Sequence, residues 1–255
     1  MTSWNVKFLR GNKDGNLGHA LIILNQPFSA ALFHRVWLSC EWRCCADGGA
    51  NRLYDLFEGD ELRSHYLPHL IKGDLDSIRP DVQEYYRSHG VPTIQDNDQD
   101  STDLMKCLSA IHDKEQAGTS EQFNVILLGG LAGRLDQTIH ILSYLHKLRK
   151  TRKSIVAVTD DNVGWVLDSG EHFIEIDHDV LGQTCGLLPV GINSTKLSTT
   201  GLRWNLTDQV SSFDGLVSTS NHLLPGENVW IKTSNPIWWT AELKDLTTIS
   251  QMALV

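Results

Sequence analysis

Two acidic stretches are the first candidates for chemistry: Gly73-Asp74-Leu75-Asp76-Ser77 and Asp98-Gln99-Asp100-Ser101-Thr102-Asp103. The first follows a short apolar run and the second precedes a helical pattern, so both sit where a strand feeds a connection. Carboxylates crowded at such a point repel one another unless a cation neutralises them, and hard oxygen donors suit Mg2+. The pattern therefore points to a divalent metal that holds phosphates. Asp, Asn, Ser and Gly are also ordinary turn and cap residues, so either run alone would read as a loop.

Two glycine turns add to this reading. Asp47-Gly48-Gly49-Ala50-Asn51 lies between a strand-like and a helix-like segment. Glycines let the backbone approach a ligand closely, and a helix start offers unpaired N–H groups to an anion. Asp47 would then face the crevice at the strand's carboxyl end, although it could equally cap the helix. The run Gly129-Gly130-Leu131-Ala132-Gly133-Arg134-Leu135-Asp136 joins a buried strand to another helix and lacks the G-K-[ST] ending of a Walker loop. Gly129, Gly130 and Arg134 are shaped to hold phosphate oxygens; a salt bridge from Arg134 to Asp136 or another acid is the competing use.

The elements that must position these residues alternate. Runs at 20–24, 69–72, 123–128 and 155–158 read as strands, the first continuously apolar and buried on both faces, and helical spacing follows most of them. Asp100 and Asp103 are three residues apart, which puts both at one entrance if a helix begins near Ser101. From Asp160 the texture becomes short β-like runs separated by Gly, Asn, Asp and Pro. The expected fold is an N-terminal parallel-sheet α/β domain (18–160) followed by an all-β sandwich domain (161–250). Residues 1 to about 17 are polar and aperiodic, so a poorly ordered arm is expected there. In the second half Trp204 could be a core aromatic, as the pattern favours, or could stack on a flat or cationic ligand.

Composition sets bounds. A chain of 255 residues with a net charge of −9 lacks the basic stripe that nucleic-acid phosphates require. No apolar run reaches the ~18 residues of a membrane span and no secretory h-region follows Met1, so a cytoplasmic location is expected by default. The five cysteines form no C-x-x-C pair and read as reduced core thiols.

These motifs, with Thr200-Gly201-Leu202-Arg203-Trp204-Asn205-Leu206 and Ser218-Thr219-Ser220-Asn221, resemble thiamine pyrophosphokinases from about residue 20 to residue 244. The resemblance implies transfer of a diphosphate from ATP to thiamine with Mg2+, releasing AMP. It also implies a homodimer whose active sites are shared between subunits. Carried over by position, Asp74, Asp76 and Asp103 fall in the metal and phosphate centre with Asp100 near, and Asp47 and Asn51 line the crevice. Arg134 and Asp136 fall at the phosphate end, and Trp204, Ser218, Ser220 and Asn221 fall where thiamine is received. Two other classes fit parts of the pattern: a metal-dependent nucleotide-sugar glycosyltransferase using Asp74-Leu75-Asp76, and a non-catalytic thiamine sensor.

Overall fold

Runs such as Ala20-Leu21-Ile22-Ile23 can only be satisfied with apolar neighbours on both faces, and the computed structural model, which describes residues 1–11, 18–118 and 121–246, supplies them. In chain order the elements are β1 (Thr2–Trp4), a 3-10 turn (Lys7–Arg10), β2 (His19–Ile23), α1 (Ala30–Ser39), β3 (Trp42–Ala46), α2 (Gly49–Asp55), α3 (Asp60–Ser64) and β4 (Leu70–Gly73). There follow α4 (Pro80–Ser88), β5 (Thr93–Gln95), α5 (Asp103–Ala117), β6 (Asn124–Leu128), α6 (Leu135–Leu148), β7 (Ile155–Val158) and β8 (Asn162–Leu167). The chain continues through β9 (Gly170–Ile174), β10 (Leu181–Leu188), β11 (Thr195–Thr200), β12 (Gln209–Ser211), β13 (Ser218–His222), β14 (Val229–Thr233) and β15 (Ile237–Leu243).

Strands β7-β6-β2-β3-β4-β5 are parallel neighbours in that order. Along β2 the side chains alternate between two cores. Leu21 and Ile23 join Leu32, Phe33 and Val36 of α1, while Ala20 and Ile22 join Cys107, Ile111 and Leu145 on the other face. Helices thus cover both faces, as parallel strands need. The chain runs from β2 outward through β3, β4 and β5, then returns to β2's other side with β6. That reversal leaves a crevice beyond the carboxyl end of β2, the usual ligand site of an open α/β sheet. Pro92 precedes β5 at the sheet edge, where a missing N–H is harmless, and its carbonyl accepts from Ile71 N.

The second half is strand-rich, but its first layer is not a separate sheet. A tight turn in which Thr159 N donates to Asn162 O folds β8 back antiparallel onto β7. Through β15, β10 and β13 the parallel sheet therefore grows to ten strands. A five-stranded sheet, β1-β9-β14-β11-β12, makes the other layer, with Ile174, Leu197 and Ile231 packed in one core with Trp165, Leu187 and Trp239. This is an α/β unit followed by a β sandwich.

The expectation of a disordered arm fails for residues 1–11; positions 12–17 lie outside the described residues. Residues Thr2–Trp4 pair in parallel with β9, and Trp4 Nε1 donates to His172 Nδ1 at 3.1 Å. Val6, Phe8 and Leu9 are buried, and each such side chain contributes about 1.5–3 kcal/mol. Three apolar residues on so short a 3-10 turn leave no periodic trace in sequence. All five cysteines are buried and free.

One buried ion pair ties α5 to the start of β7. Arg152 and Glu115 approach to 2.8 Å with their side chains 7% and 4% exposed, and Glu115 Oε1 also accepts from Phe123 N. Glu115→Ala strands the guanidinium and is expected to cost about 3–5 kcal/mol. Calorimetry should show the melting temperature falling by about 10 °C, whereas a fall of about 2 °C or less would place the pair with surface bridges.

Candidate active site

At the end of β3 the chain turns through Asp47, which adopts φ +41° and is 1% exposed. Gly49 opens α2 so close to β2 that a Cβ there would stand 2.2 Å from Ile23 O. Asp47 uses both carboxylate oxygens on the loop after β4: Oδ2 accepts from Ser77 N at 2.9 Å and Oδ1 from Ile78 N at 3.0 Å. Asn51 completes the clamp, donating to Ser77 O and accepting from Arg79 N. Between Asp74 and Asp76, Leu75 takes φ +63° with its side chain packed on the core. A β-carbon is costly in that backbone region, so the loop is held in place rather than relaxed.

Asp103 is the first residue of α5 and reaches the same loop, its Oδ1 accepting from Asp74 N at 3.2 Å. One carboxylate oxygen each from Asp47, Asp74 and Asp103 lies within 4.8 Å of the others. Burial pushes the Asp47 carboxyl above its ordinary range; the Ser77 and Ile78 amides pull it back, and the Asp103 and Asp74 charges add to the rise. Asp103 is raised first by burial and then by Asp74. Such a group is destabilising as bare anions and fits a hard cation, since Mg2+ with bonds of about 2.1 Å keeps its oxygens about 3–4 Å apart.

The acids open into a pocket of about 390 Å3 beyond β2, lined also by Asn25, Gln26, Ser77, Asp98, Thr102, Arg134, Gln137 and His140. A larger cavity, about 550 Å3, lies at the other end of the strands among Trp4, Phe8, His19 and His172. The acidic group opens into the first, so that is where the chemistry is sought.

Of the residues singled out from sequence, the structure brings Asp47, Asp74, Asp103 and Arg134 to one pocket. Asp76 lies outside the acidic trio, exposed, its Oδ1 accepting from Ser77 Oγ. Asp47 stands where the sequence pointed to Asp76. The helix begins at Asp103 rather than near Ser101, which leaves Asp100 in the preceding turn with its N–H on Asp98 Oδ1. Gly129 and Gly130 adopt φ +107° and +97°, and Gly130 N donates to Gln26 Oε1 at 2.7 Å. Arg134 is exposed at the rim and engaged twice with Asp136, at 2.6 and 3.1 Å.

The core placement favoured for Trp204 is not what the fold delivers. Trp204 is 52% exposed, with Arg203 stacked 4.8 Å above its ring and His222 beside it. It belongs to a bend between strands, where Asn221 holds its backbone at both N–H and C=O. Ser218 and Asn221 are buried and Ser220 is exposed at φ +53°. Among the described residues none lining the acidic pocket comes from beyond Ile141, so these four do not reach it within one chain.

Sequence reasoning missed Gln26, Gln137, His140 and Lys106. Gln26 follows β2 in Asn25-Gln26-Pro27, a run with no motif of its own, although the end of β2 at a strand-order reversal is where ligand contacts belong. Lys106 is 3% exposed with Nζ 3.4 Å from Asp103 Oδ1, and a lysine on a helix reads by default as a solvated position.

Comparison with known proteins agrees with this geometry. Residues 33–157 match the family model for the thiamin pyrophosphokinase catalytic domain, and residues 171–238 the model for its vitamin B1 binding domain. Thiamine pyrophosphokinase 1 of Oryza sativa subsp. japonica is 37% identical over 91% of this chain and 90% of its own. Thiamine pyrophosphokinase of Saccharomyces cerevisiae is 30% identical over 93% and 88%. The crystal structure of yeast thiamin pyrophosphokinase superposes with a TM-score of 0.85 at 29% identity, covering 98% of this chain and 93% of that one. With an acidic pocket at the strand-order reversal and likeness along nearly its whole length, the chain belongs to the thiamine pyrophosphokinase family.

Proposed function

We propose that the protein transfers the diphosphate of ATP to the primary hydroxyl of thiamine, giving thiamine diphosphate and AMP. The observation that carries this reading is the convergence of Asp47, Asp74 and Asp103 beside the 129–134 turn in a chain of this family. The hydroxyl oxygen forms a bond to the β-phosphorus as the bond from that phosphorus to the α-phosphate oxygen breaks, and the hydroxyl proton leaves. Asp74 and Asp103, with Asp47 behind them, would hold Mg2+; Asp76 and Asp100 stand at the margin of that site. When bound, the ion screens the triphosphate charge and polarises its oxygens. Arg134, exchanging Asp136 for phosphate, orients the departing and transferring groups, whereas the N–H groups of Gly129 and Gly130 are already given to Val158 O and Gln26 Oε1 and shape the turn instead.

Thiamine carries a fixed positive thiazolium charge, for which the exposed face of Trp204 is a seat worth about 0.5–2 kcal/mol. Ser218, Ser220 and Asn221 belong to β13, where Ser220 is exposed and the buried Asn221 holds the Trp204 backbone. Because these residues do not line the acidic pocket of their own chain, the active site is proposed to form between two copies. Exposed apolar side chains support that assembly: Leu135 and Ile139 on α6, and Val210, Phe213 and Leu216 on and just after β12. Phe213→Asp is expected to shift the protein from dimer to monomer in sedimentation velocity and to cut turnover with it; an unchanged dimer would remove this face from the interface. Among the described residues no helix is long and apolar enough to cross a membrane, and a cytoplasmic location is proposed.

Product analysis tests the reaction. ATP, thiamine and Mg2+ should yield AMP and thiamine diphosphate in equal amounts, and formation of ADP with thiamine monophosphate would reject it. Nothing found supports a nucleotide-sugar glycosyltransferase or a sensor without turnover.

A further inference from the structure

Three carboxylates held within 4.8 Å and partly sealed from solvent repel one another strongly. Among the described residues, one cation makes an ion pair with a member of the trio: Lys106, one turn into α5 from Asp103. Lysine is almost never buried this fully without a reason. Its 3.4 Å contact with Asp103 Oδ1 is long for a charge-assisted hydrogen bond, which runs at about 2.7–2.9 Å, so geometry alone is a weak justification for its burial. Its charge is the stronger one.

We infer that Lys106 is a resident counter-ion of the acidic group, holding Asp103 and its neighbours together before the metal arrives and opposing the metal once it does. With Lys106 present the trio carries two net negative charges rather than three. Divalent metal alone is then held weakly, and firm binding waits for the polyphosphate that brings further oxygen ligands. Lys106 is in this sense a positioning residue: it acts through Asp103 and has no contact with the reacting atoms. The inference rests on the reading of the acids as a metal site.

The test is direct binding of Mn2+ to the full chain without nucleotide, followed by electron paramagnetic resonance, for the wild type, Lys106→Met and Lys106→Arg. Lys106→Met is expected to bind Mn2+ at least about tenfold more tightly, since an opposing charge a few ångströms away is gone. Its metal-free form should melt lower than the wild type, with the gap closing as Mn2+ is added. Lys106→Arg, which keeps the charge, should follow the wild type. A lysine buried only for packing would lower the melting temperature and leave Mn2+ affinity where it was, and that result overturns the inference, as does weaker binding. If Lys106→Met folds only with Mn2+ present, the counter-ion role stands; Lys106→Gln is then measured in its place, and failure of both variants to fold even with Mn2+ refutes it. Absence of Mn2+ binding in the wild type would overturn the metal reading itself, whereas wild-type binding with no gain in Lys106→Met overturns this inference alone.

Discussion

Asp103→Asn should lower turnover by about a thousandfold, roughly 4 kcal/mol of transition-state stabilisation, while the protein remains folded. Asp103 serves three partners at once. Its Oδ1 accepts from Asp74 N, faces Lys106 Nζ, and the carboxylate belongs to the trio that converges at the pocket. The amide has the same shape, so the contact with Asp74 N can survive, but the charge that would hold a metal cannot. Stability should move little, for a reason with a definite sign. Burial and Asp74 raise the Asp103 carboxyl, which means the ionised form is disfavoured in the folded state and weakens it as the pH rises above the carboxylate range. Removing that charge relieves the trio, and the relief offsets the loss of Lys106's partner. Steady-state kinetics beside a thermal melt separates the two quantities. Turnover near the wild-type value would take Asp103 out of the site, and a collapse of the melt would show that its role is structural.

The layer order of the first half was legible because buried parallel strands leave continuous apolar runs, and each of the four predicted runs overlaps a strand. Two features were not. The continuity of β7 with β8 depends on a two-residue turn, and a turn carries no record of whether the next strand extends the old sheet or begins another. The arm at residues 1–11 is held by partners distant in sequence, Trp4 by His172 and Arg10 by Asp177, and such pairs have no local signature. The site shows the same division. Acid-rich loops drew attention to Asp74 and Asp103, which the structure brings together, because crowded carboxylates are visible in sequence whatever the fold. The choice between Asp47 and Asp76 as the third member needed coordinates, since it turns on Leu75 at φ +63°. Trp204 was misjudged for a related reason: a Trp beside a Gly bend looks the same in sequence whether the bend faces the core or solvent.

Gly73→Ala is the substitution of smallest size from which a large functional loss is expected. Gly73 ends β4 between two of the acids, and a Cβ there would lie 2.6 Å from the Asp47 Cβ and 2.9 Å from Asp103 Oδ1. Neither neighbour can yield cheaply. Asp47 is fixed by its bonds to Ser77 N and Ile78 N, and Asp103 by Asp74 N at the start of α5. One methyl group must therefore spread the trio by several tenths of an ångström, and a misplacement approaching 1 Å costs about a hundredfold in rate. The overpacking itself costs about 1–3 kcal/mol, enough to lower the melting temperature by several degrees without unfolding the protein at assay temperature. Gly59→Ala is the matched control, because φ +84° strains an alanine there while nothing lies within 4 Å of its Cβ. It should lose about 1 kcal/mol of stability and no activity. If Gly73→Ala and Gly59→Ala fall equally in the melt yet both keep full turnover, crowding at Gly73 does not reach the carboxylates, and the proposed convergence of the three acids on one cation loses its mechanical basis.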